Sequence, residues 1–323
     1  MITCLVCGSG GAKRSFPARE TMYGTKEEFE YLECLECGSL QIKNVPKDLS
    51  RFYPDDYYLL TEARASVEPL SWPRAFLRGA RTNYYIGRWN LIGWLVDKIK
   101  PNYFKMNWEW FTHSRVSTKS RILDVGCGTG NLLRNMYAQG FQWLTGIDPH
   151  TKEPFCLPGL RILKGRLDDL TERFDFIMLH HSLEHMPDPV SALRAAQRHL
   201  RRGGHVLVRL PVTGTYGWRH YGLNWIGLDP PRHIFVPTVA GMMRLARRSN
   251  FAVVKFWFDT TDWNLLMSEK QQRGIPARDR TKGFVIDGLF TPEQVTEFRK
   301  RAEDLNRDGD GDTACFILQS AGQ

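Results

Sequence analysis

Residues 122–130 read Ile-Leu-Asp-Val-Gly-Cys-Gly-Thr-Gly, and Gly146-Ile147-Asp148-Pro149 follows a short way on. Ile122, Leu123 and Val125 make a short buried strand that runs into a glycine-rich turn. Glycine serves there because it lacks a Cβ, tolerates positive φ and lets a ligand approach the backbone. A helix is expected beyond the turn, over about 130–139. A second apolar strand, 143–148, ends in the Asp148 carboxylate, a place from which an acid accepts hydrogen bonds from both ribose hydroxyls of a nucleoside. Strand, turn, helix, strand and acid in this order point to an open α/β sheet that holds a nucleoside at the carboxyl ends of its strands.

The rest of the pattern continues the alternation. Strands are expected over 161–164, 174–179, 205–210, 251–258 and 314–318, and helices over about 189–200 and 238–249. The 174–179 strand is almost wholly apolar, as a strand covered on both faces must be. Arg202-Gly203-Gly204 reads as the turn into strand 205–210. Two insertions interrupt the alternation, at 212–236 and 260–311. The second contains a helix from Pro292, with Thr291 and Gln294 spaced as a capping box. Asp304-x-Asn306-x-Asp308-Gly309-Asp310 resembles the start of an EF-hand loop. Its twelfth position is Cys315 where a bidentate glutamate is required, so it reads as an acidic hairpin turn.

Seven cysteines are present, and four of them form Cys4-x2-Cys7 and Cys34-x2-Cys37. Two such knuckles offer four thiolates to one tetrahedral zinc ion and leave no position for substrate, so the site reads as structural. Gly8 and Gly38 follow each knuckle, where a tight turn is needed. Cys156 and Cys315 read as small core residues. Three parts result: a zinc ribbon over 1–48, an aromatic and basic linker or helical lid over 49–119, and an α/β domain over 120–323.

Charge is uneven. The chain carries +9 net, and residues 72–119 alone hold nine Lys/Arg against Asp97 and Glu109. Fifteen of the 39 aromatic residues fall between Phe52 and Phe111. Tyr85, Trp89, Ile92, Val96 and Ile99 form one helical stripe, whose plain reading is packing on the α/β domain. Three functional readings stand beside it: a lid over an anionic acceptor, a platform for single-stranded nucleic acid, or a surface lying on a membrane. No run of 18 apolar residues and no signal-peptide pattern occurs in this sequence, so a cytoplasmic location is expected.

Asp124-Val-Gly-Cys-Gly-Thr-Gly130 resembles motif I of the class I S-adenosylmethionine (SAM) methyltransferases. A dinucleotide turn, G-x-G-x-x-G, aims a helix N-terminus at a pyrophosphate, whereas SAM has no phosphate and places its zwitterionic methionine tail there. The resemblance implies a Rossmann-like class I methyltransferase fold, doubly wound and mostly parallel with an antiparallel last strand, behind the zinc ribbon. It implies SAM held by Asp124, Gly126, Cys127, Gly128, Gly130 and Asp148, with Pro149 and His180 beside them. The adenine segment, Leu163 to Leu170, aligns with the family's G-D-x-E-D-L pattern, but Arg166 stands where the acid usually follows the glycine. Leu167, through its backbone, or Asp168 is left to meet the adenine.

His180-His181-Ser182-Leu183-Glu184-His185-Met186-Pro187-Asp188-Pro189 resembles the H-x-L-E-H-x-x-D-P segment of a methyltransferase group that includes bacterial sugar methyltransferases. There it lines the methyl-transfer site, which implies a histidine general base: His181 first, with His233 and His185 as further candidates, although a histidine at a helix start like His185 often only packs or caps. Asp229-Pro230-Pro231-Arg232-His233 opens like the N/D-P-P-Y/F motif of amino-methylating nucleic-acid enzymes. Its fourth residue is Arg232, and it follows the fifth strand, so nucleobase methylation by that route is disfavoured. It is instead similar to the P-P-R-H-x-x-x-F segment of the same sugar and small-molecule enzymes, which implies that His233 faces the acceptor and Arg232 binds an acceptor phosphate or carboxylate. Tyr221 and Tyr57 are further candidate acceptor contacts.

The order of zinc ribbon, helical segment and SAM domain is similar to that of sugar C-methyltransferases acting on nucleotide-linked deoxysugars, which carry a further C-terminal domain. The resemblance implies methyl transfer to a small, anionic acceptor such as a sugar, nucleotide-sugar or glycan precursor. An RNA methyltransferase gripping its substrate with the ribbon and the basic segment is the alternative.

Overall fold

A computed structural model describes residues 2–53, 67–101, 107–279 and 281–322. In chain order the described elements begin with β1 (Lys13–Arg19), β2 (Glu28–Cys34), β3 (Leu40–Ile42), α1 (Trp72–Tyr85), α2 (Leu91–Ile99) and α3 (Glu109–Thr112). Next come β4 (Arg121–Val125), α4 (Asn131–Ala138), β5 (Trp143–Asp148), β6 (Phe155–Leu157), β7 (Leu160–Lys164) and β8 (Phe174–His180). They are followed by α5 (Pro189–Arg198), β9 (Leu200–Pro211), α6 (Tyr216–Tyr221), β10 (Phe235–Val236), α7 (Val239–Arg248) and β11 (Phe251–Phe258). The last are α8 (Asp262–Gln272), α9 (Pro292–Arg307) and β12 (Thr313–Ser320).

The chain divides into two compact units: Met1–Asp56 with His181–Leu193 and Arg209–Phe316, and Tyr57–His180 with Arg194–Val208 and Ile317–Gln323. In the second unit the strands lie in the order β12-β9-β8-β4-β5-β7-β6. Strand β4 pairs in parallel with both β8 and β5, and β5 pairs in parallel with β7. Ile122, Leu123, Phe176 and Ile177 are fully buried, which accounts for the unbroken apolar runs of β4 and β8. This is the Rossmann-like class I methyltransferase fold.

Helix α1 belongs to the same unit and lies close against the end of α4. The Thr82 hydroxyl donates to the Gln139 carbonyl at 2.6 Å, and the Arg78 guanidinium donates to the Ala138 carbonyl at 2.9 Å. A Cβ on Gly140 would stand 2.5 Å from the Gly79 nitrogen, so only glycine permits this approach. The single stripe expected over Tyr85 to Ile99 is instead broken. Gly87 turns the chain at φ 80, and Asn90 starts α2 anew by accepting from the Gly93 amide at 2.6 Å. Packing of that stripe on the α/β core is not what the structure shows. In α2 only Gly93 is buried, while Trp89 is 73% and Ile99 84% exposed.

In the first unit a second sheet runs β1-β2-β3-β10. The cysteine-bearing ribbon supplies three of its strands, and the fourth, Phe235–Val236, pairs antiparallel with Leu40 and Gln41. Tyr31, Leu40, Trp225, Leu265 and Met267 are fully buried in its core. The capping box at Thr291 and Gln294 forms as expected. Helix α8 had no clear signal in the sequence. Three other expectations are corrected. Asp304 and Asn306 lie in α9, not in a hairpin turn, and Asn306 bonds both the amide and the carbonyl of Thr260 at 2.9 and 2.8 Å. Strand β9 starts at Leu200 and takes in the expected Arg202-Gly203-Gly204 turn, with Gly203 absorbing φ 74 within the strand. Cys156 is exposed on β6, whereas Cys315 is buried.

Candidate active site

The glycine loop after β4 holds a ready-made nucleoside cradle within the second unit. The Gly126 amide donates to the Ile147 carbonyl at 2.8 Å, and the Gly128 amide donates to Asp148 Oδ2 at 3.0 Å. The other oxygen of Asp148 accepts from the His150 amide at 2.7 Å, so the carboxylate is fixed with lone pairs to spare. Gly130 sits at φ 77, and a Cβ there would run into Ile162. Asp124 is fully buried and its Oδ1 has no hydrogen-bond partner among the described residues. Burial, then the nearby Asp148 charge, raises the Asp124 carboxyl to about 7. A buried carboxylate oxygen left unpaired beside an open glycine turn suits a ligand with a cationic tail, and SAM has one. Burial likewise pushes the Cys127 thiol up, so it serves as a neutral loop residue.

Other residues expected at the cofactor divide. Leu167 is buried at the start of a 3-10 turn after β7, and His180 packs its ring edge on Trp110, centroids 4.6 Å apart. Pro149 is exposed. Asp168 does not stay free for an adenine: it faces solvent and pairs with Arg198 at 2.8 Å. The carboxylate that reaches the Arg166 amide is that of Asp169, at 2.7 Å.

From His181 onward the histidine-rich string lies in the first unit. His181 has φ 52, a region that costs a non-glycine residue on the order of 1 kcal/mol and marks functional sites when packing enforces it. Its amide donates to the Arg209 carbonyl at 2.8 Å. Its Nδ1 lies 3.2 Å from Glu184 Oε1, and its Nε2 meets the Arg209 guanidinium, which is held by Asp259 at 2.7 Å. Burial and then the Arg209 charge hold the His181 pKa well below the ordinary imidazole value. Arg209 cannot accept a hydrogen bond, so it donates to Nε2, and the Nδ1–H then points to Glu184. Both nitrogens are engaged, which argues against His181 as the general base.

His185 and His233 differ. His185 Nδ1 lies 2.9 Å from the Arg232 carbonyl and 3.1 Å from the Tyr53 hydroxyl; His233 Nδ1 lies 2.9 Å from the Gly227 carbonyl. A carbonyl only accepts, so each Nδ1 carries the proton and each Nε2 keeps its lone pair. The two rings stand edge to face with centroids 4.8 Å apart. Burial, above all, lowers His185 to about 4, so its ring is neutral at physiological pH. Glu184 is completely buried, and its Oε2 has no hydrogen-bond partner among the described residues.

Two expected acceptor contacts are corrected. Arg232 is fully buried and already spent: it pairs with Asp229 at 2.6 Å and Glu20 at 2.8 Å and donates to the Phe52 carbonyl at 3.2 Å. It braces the turn that carries His233 and is not available to an acceptor anion. Tyr221 is a core residue beneath Tyr216 and His220, and burial raises its phenol pKa. Tyr57 lies outside the described residues. Sequence reasoning passed over Glu184 and Arg209, although an arginine inside the apolar run of β9 and a glutamate between two histidines were both visible signals.

The four ribbon cysteines converge. Cys4 and Cys37 sulfurs lie 3.8 Å apart, Cys7 and Cys34 sulfurs 3.7 Å apart. Four sulfurs about 2.3 Å from one ion stand roughly 3.8 Å from each other, so the cluster has the dimensions of a tetrahedral thiolate site. Gly8 and Gly38, at φ 80 and 68, close each knuckle by donating to the Cys4 and Cys34 carbonyls.

Fold and glycine loop together define the class I SAM-dependent methyltransferases. Residues 111–255 match the family model described as "Methyltransferase domain", and that stretch is a SAM-dependent methyltransferase domain. Among curated relatives, a ubiquinone biosynthesis O-methyltransferase of Pseudomonas entomophila is 34% identical over 34% of this chain and 53% of its own length. One of Serratia proteamaculans is 29% identical over 40% of this chain and 58% of its own length. The chain thus spans only a little over half of those relatives. Solved structures of SAM-dependent methyltransferases from Archaeoglobus fulgidus and Mesorhizobium loti are similar at TM-scores of 0.39 and 0.40. Their identities are 20% and 19%; each match covers 62% of this chain, with 86% and 90% of the respective partner.

Proposed function

We propose that the chain transfers the methyl group of SAM to a hydroxyl of a small-molecule acceptor. The observation that carries the donor half is the glycine cradle with the buried Asp124 carboxyl, whose Oδ1 has no partner among the described residues, beside the fixed Asp148. SAM, when bound, supplies an electrophilic methyl on a sulfonium. The chain's own residues do the rest. Asp124 and Asp148 orient the donor, and a base must take up the acceptor proton as the methyl leaves in line. Among the titratable groups of the first unit, the chemistry of Glu184, His185 and His233 suits that role better than that of His181. One oxygen of Glu184 has no hydrogen-bond partner among the described residues, and His185 and His233 each keep an Nε2 lone pair, whereas both nitrogens of His181 are engaged. The similar O-methyltransferases favour oxygen as the receiving atom. A sugar, nucleotide-sugar or glycan precursor remains the first acceptor class to test, beside phenolic acceptors. The four ribbon cysteines are proposed to hold one structural zinc ion.

A second reading concerns where the acceptor is met. Trp72, Trp89, Leu91 and Ile99 stand exposed on α1, α2 and the turn joining them, among Arg74, Lys98 and Lys100. Apolar aromatics flanked by cations suit a lipid surface that presents a lipid-linked acceptor. Arg78, Arg81 and Arg88 are already engaged with backbone carbonyls, which leaves less charge for the RNA alternative. No helix among the described residues is long and apolar enough to cross a membrane. Sedimentation with anionic and with neutral vesicles tests the second reading: Trp89→Ser and Ile99→Ser should release the chain from anionic vesicles, and equal recovery of wild type and variants would remove it. The first reading is tested by methyl transfer from labelled SAM to panels of saccharide, nucleotide-sugar and phenolic acceptors.

A further inference from the structure

We infer that Glu184, His185 and His233 form a binding site for a divalent transition-metal ion, separate from the cysteine cluster. One ligand atom from each of the three lies within 4.8 Å of the others. Donors sharing an ion at about 2.1 Å stand about 3 to 3.5 Å apart, so small side-chain rotations close the site. Three further observations point to an ion and not to a chance cluster. Both imidazoles have their Nδ1–H turned to a backbone carbonyl, Arg232 for His185 and Gly227 for His233, each at 2.9 Å. Metal-ligating histidines are oriented in this way by an outer partner, with the opposite nitrogen facing the ion. Glu184 is 0% exposed, yet its Oε2 has no partner among the described residues, a cost that a buried carboxylate ordinarily avoids. Its Oε1 is steadied by His181 at 3.2 Å, which in turn is held by Arg209. This gives Glu184 the same kind of outer support that the carbonyls give the histidines.

Two imidazoles and one carboxylate suit first-row divalent ions and leave coordination positions open. The thiolate cluster is the opposite case, with four soft donors and no open position. If the methyl-transfer reading holds, an ion here would bind the acceptor hydroxyl and lower its pKa, so that its proton is released to solvent water and the acceptor meets the methyl as an oxyanion; Glu184, His185 and His233 would then serve as ligands in place of a general base. This consequence rests on that reading; the metal site itself does not.

The probe is Co2+ added to the purified full-length chain with its cysteine cluster filled by zinc. The expected result is one bound equivalent with visible d–d bands and no thiolate charge-transfer band. X-ray absorption at the cobalt edge should show nitrogen and oxygen neighbours without sulfur. Glu184→Gln and His233→Ala should weaken this binding about 10-fold or more while zinc content stays at one per chain. Absence of Co2+ binding in the wild type, a sulfur shell around the cobalt, or unchanged affinity in both variants overturns the site. Because the wild-type spectrum alone decides the first two outcomes, a variant that fails to fold does not rescue the inference. SAM titration of the metal-free chain is read in parallel. SAM binding without Co2+ binding removes the metal site and leaves the methyltransferase reading intact, and the reverse removes only the latter.

Discussion

The Tyr31 hydroxyl, on ribbon strand β2, donates to the main-chain carbonyl of His233 at 2.6 Å, and both groups are buried. A residue close in sequence to the cysteine knuckles thus holds the backbone of a histidine proposed to serve the acceptor. Tyr31→Phe removes the donor and leaves that carbonyl unpaired, at a cost of about 1 to 3 kcal/mol. Urea unfolding should show this loss, with a larger fall in kcat than in SAM affinity. Unchanged stability would mean that the ribbon does not brace His233.

Arg232 gives the sharpest contrast between a brace and a ligand. Its guanidinium neutralises buried Asp229 and Glu20, so Arg232→Met leaves two buried carboxylates without their cation. A loss of about 3 to 5 kcal/mol is expected, seen as poor soluble yield or a much lower Tm. Arg232→Lys should recover little, since one ammonium cannot repeat the forked contacts. A stable variant with only a raised KM for the acceptor would return Arg232 to acceptor binding.

Asp124 sets a pH dependence. Its carboxyl is raised from the usual 3.8 to about 7 by burial and by Asp148. The folded chain therefore holds a proton that the unfolded chain releases between those two values. The group costs stability above about pH 7, and that cost fades as pH falls through 7 toward 4. Asp124→Asn should flatten the slope of Tm against pH over about 5 to 8 and raise stability at the alkaline end. SAM affinity should move the other way in the wild type, weakening below about pH 7 as the carboxylate that meets its cationic tail is protonated. A SAM affinity independent of pH, measured by calorimetry, would contradict this role.

Removal of the ribbon metal should act on stability before catalysis. Chelation, or Cys37→Ser, is expected to lower Tm and to release about one zinc per chain. A chain that contains no zinc when purified, and whose Tm is indifferent to chelator, would leave the four cysteines as plain thiols.

Much of this was legible in the sequence because it depends on local pattern. Asp124 to Gly130 and Asp148 announce strand, turn and acid within a few residues, and Cys4, Cys7, Cys34 and Cys37 announce their cluster by spacing alone. Arg232 and Tyr221 were misread because their roles are set by burial. Glu20 lies 212 positions from Arg232, and no local pattern links them. His181 was favoured by its place after β8, but its engagement depends on Arg209 and Asp259, which arrive from strand β9 and the end of β11. The stripe from Tyr85 to Ile99 had helical period throughout; Gly87 at positive φ and the cap at Asn90 broke it, and periodicity does not register either.

Methyl transfer itself is most directly tested by incubating the purified chain with methyl-labelled SAM and panels of hydroxyl-bearing acceptors, then following the label by mass. Label on the oxygen of a saccharide or phenolic acceptor is expected, together with loss of transfer in Asp148→Ala at unchanged fold. If SAM neither binds nor gives up its methyl to any acceptor while the chain is folded and loaded with metal, the function proposed here is contradicted.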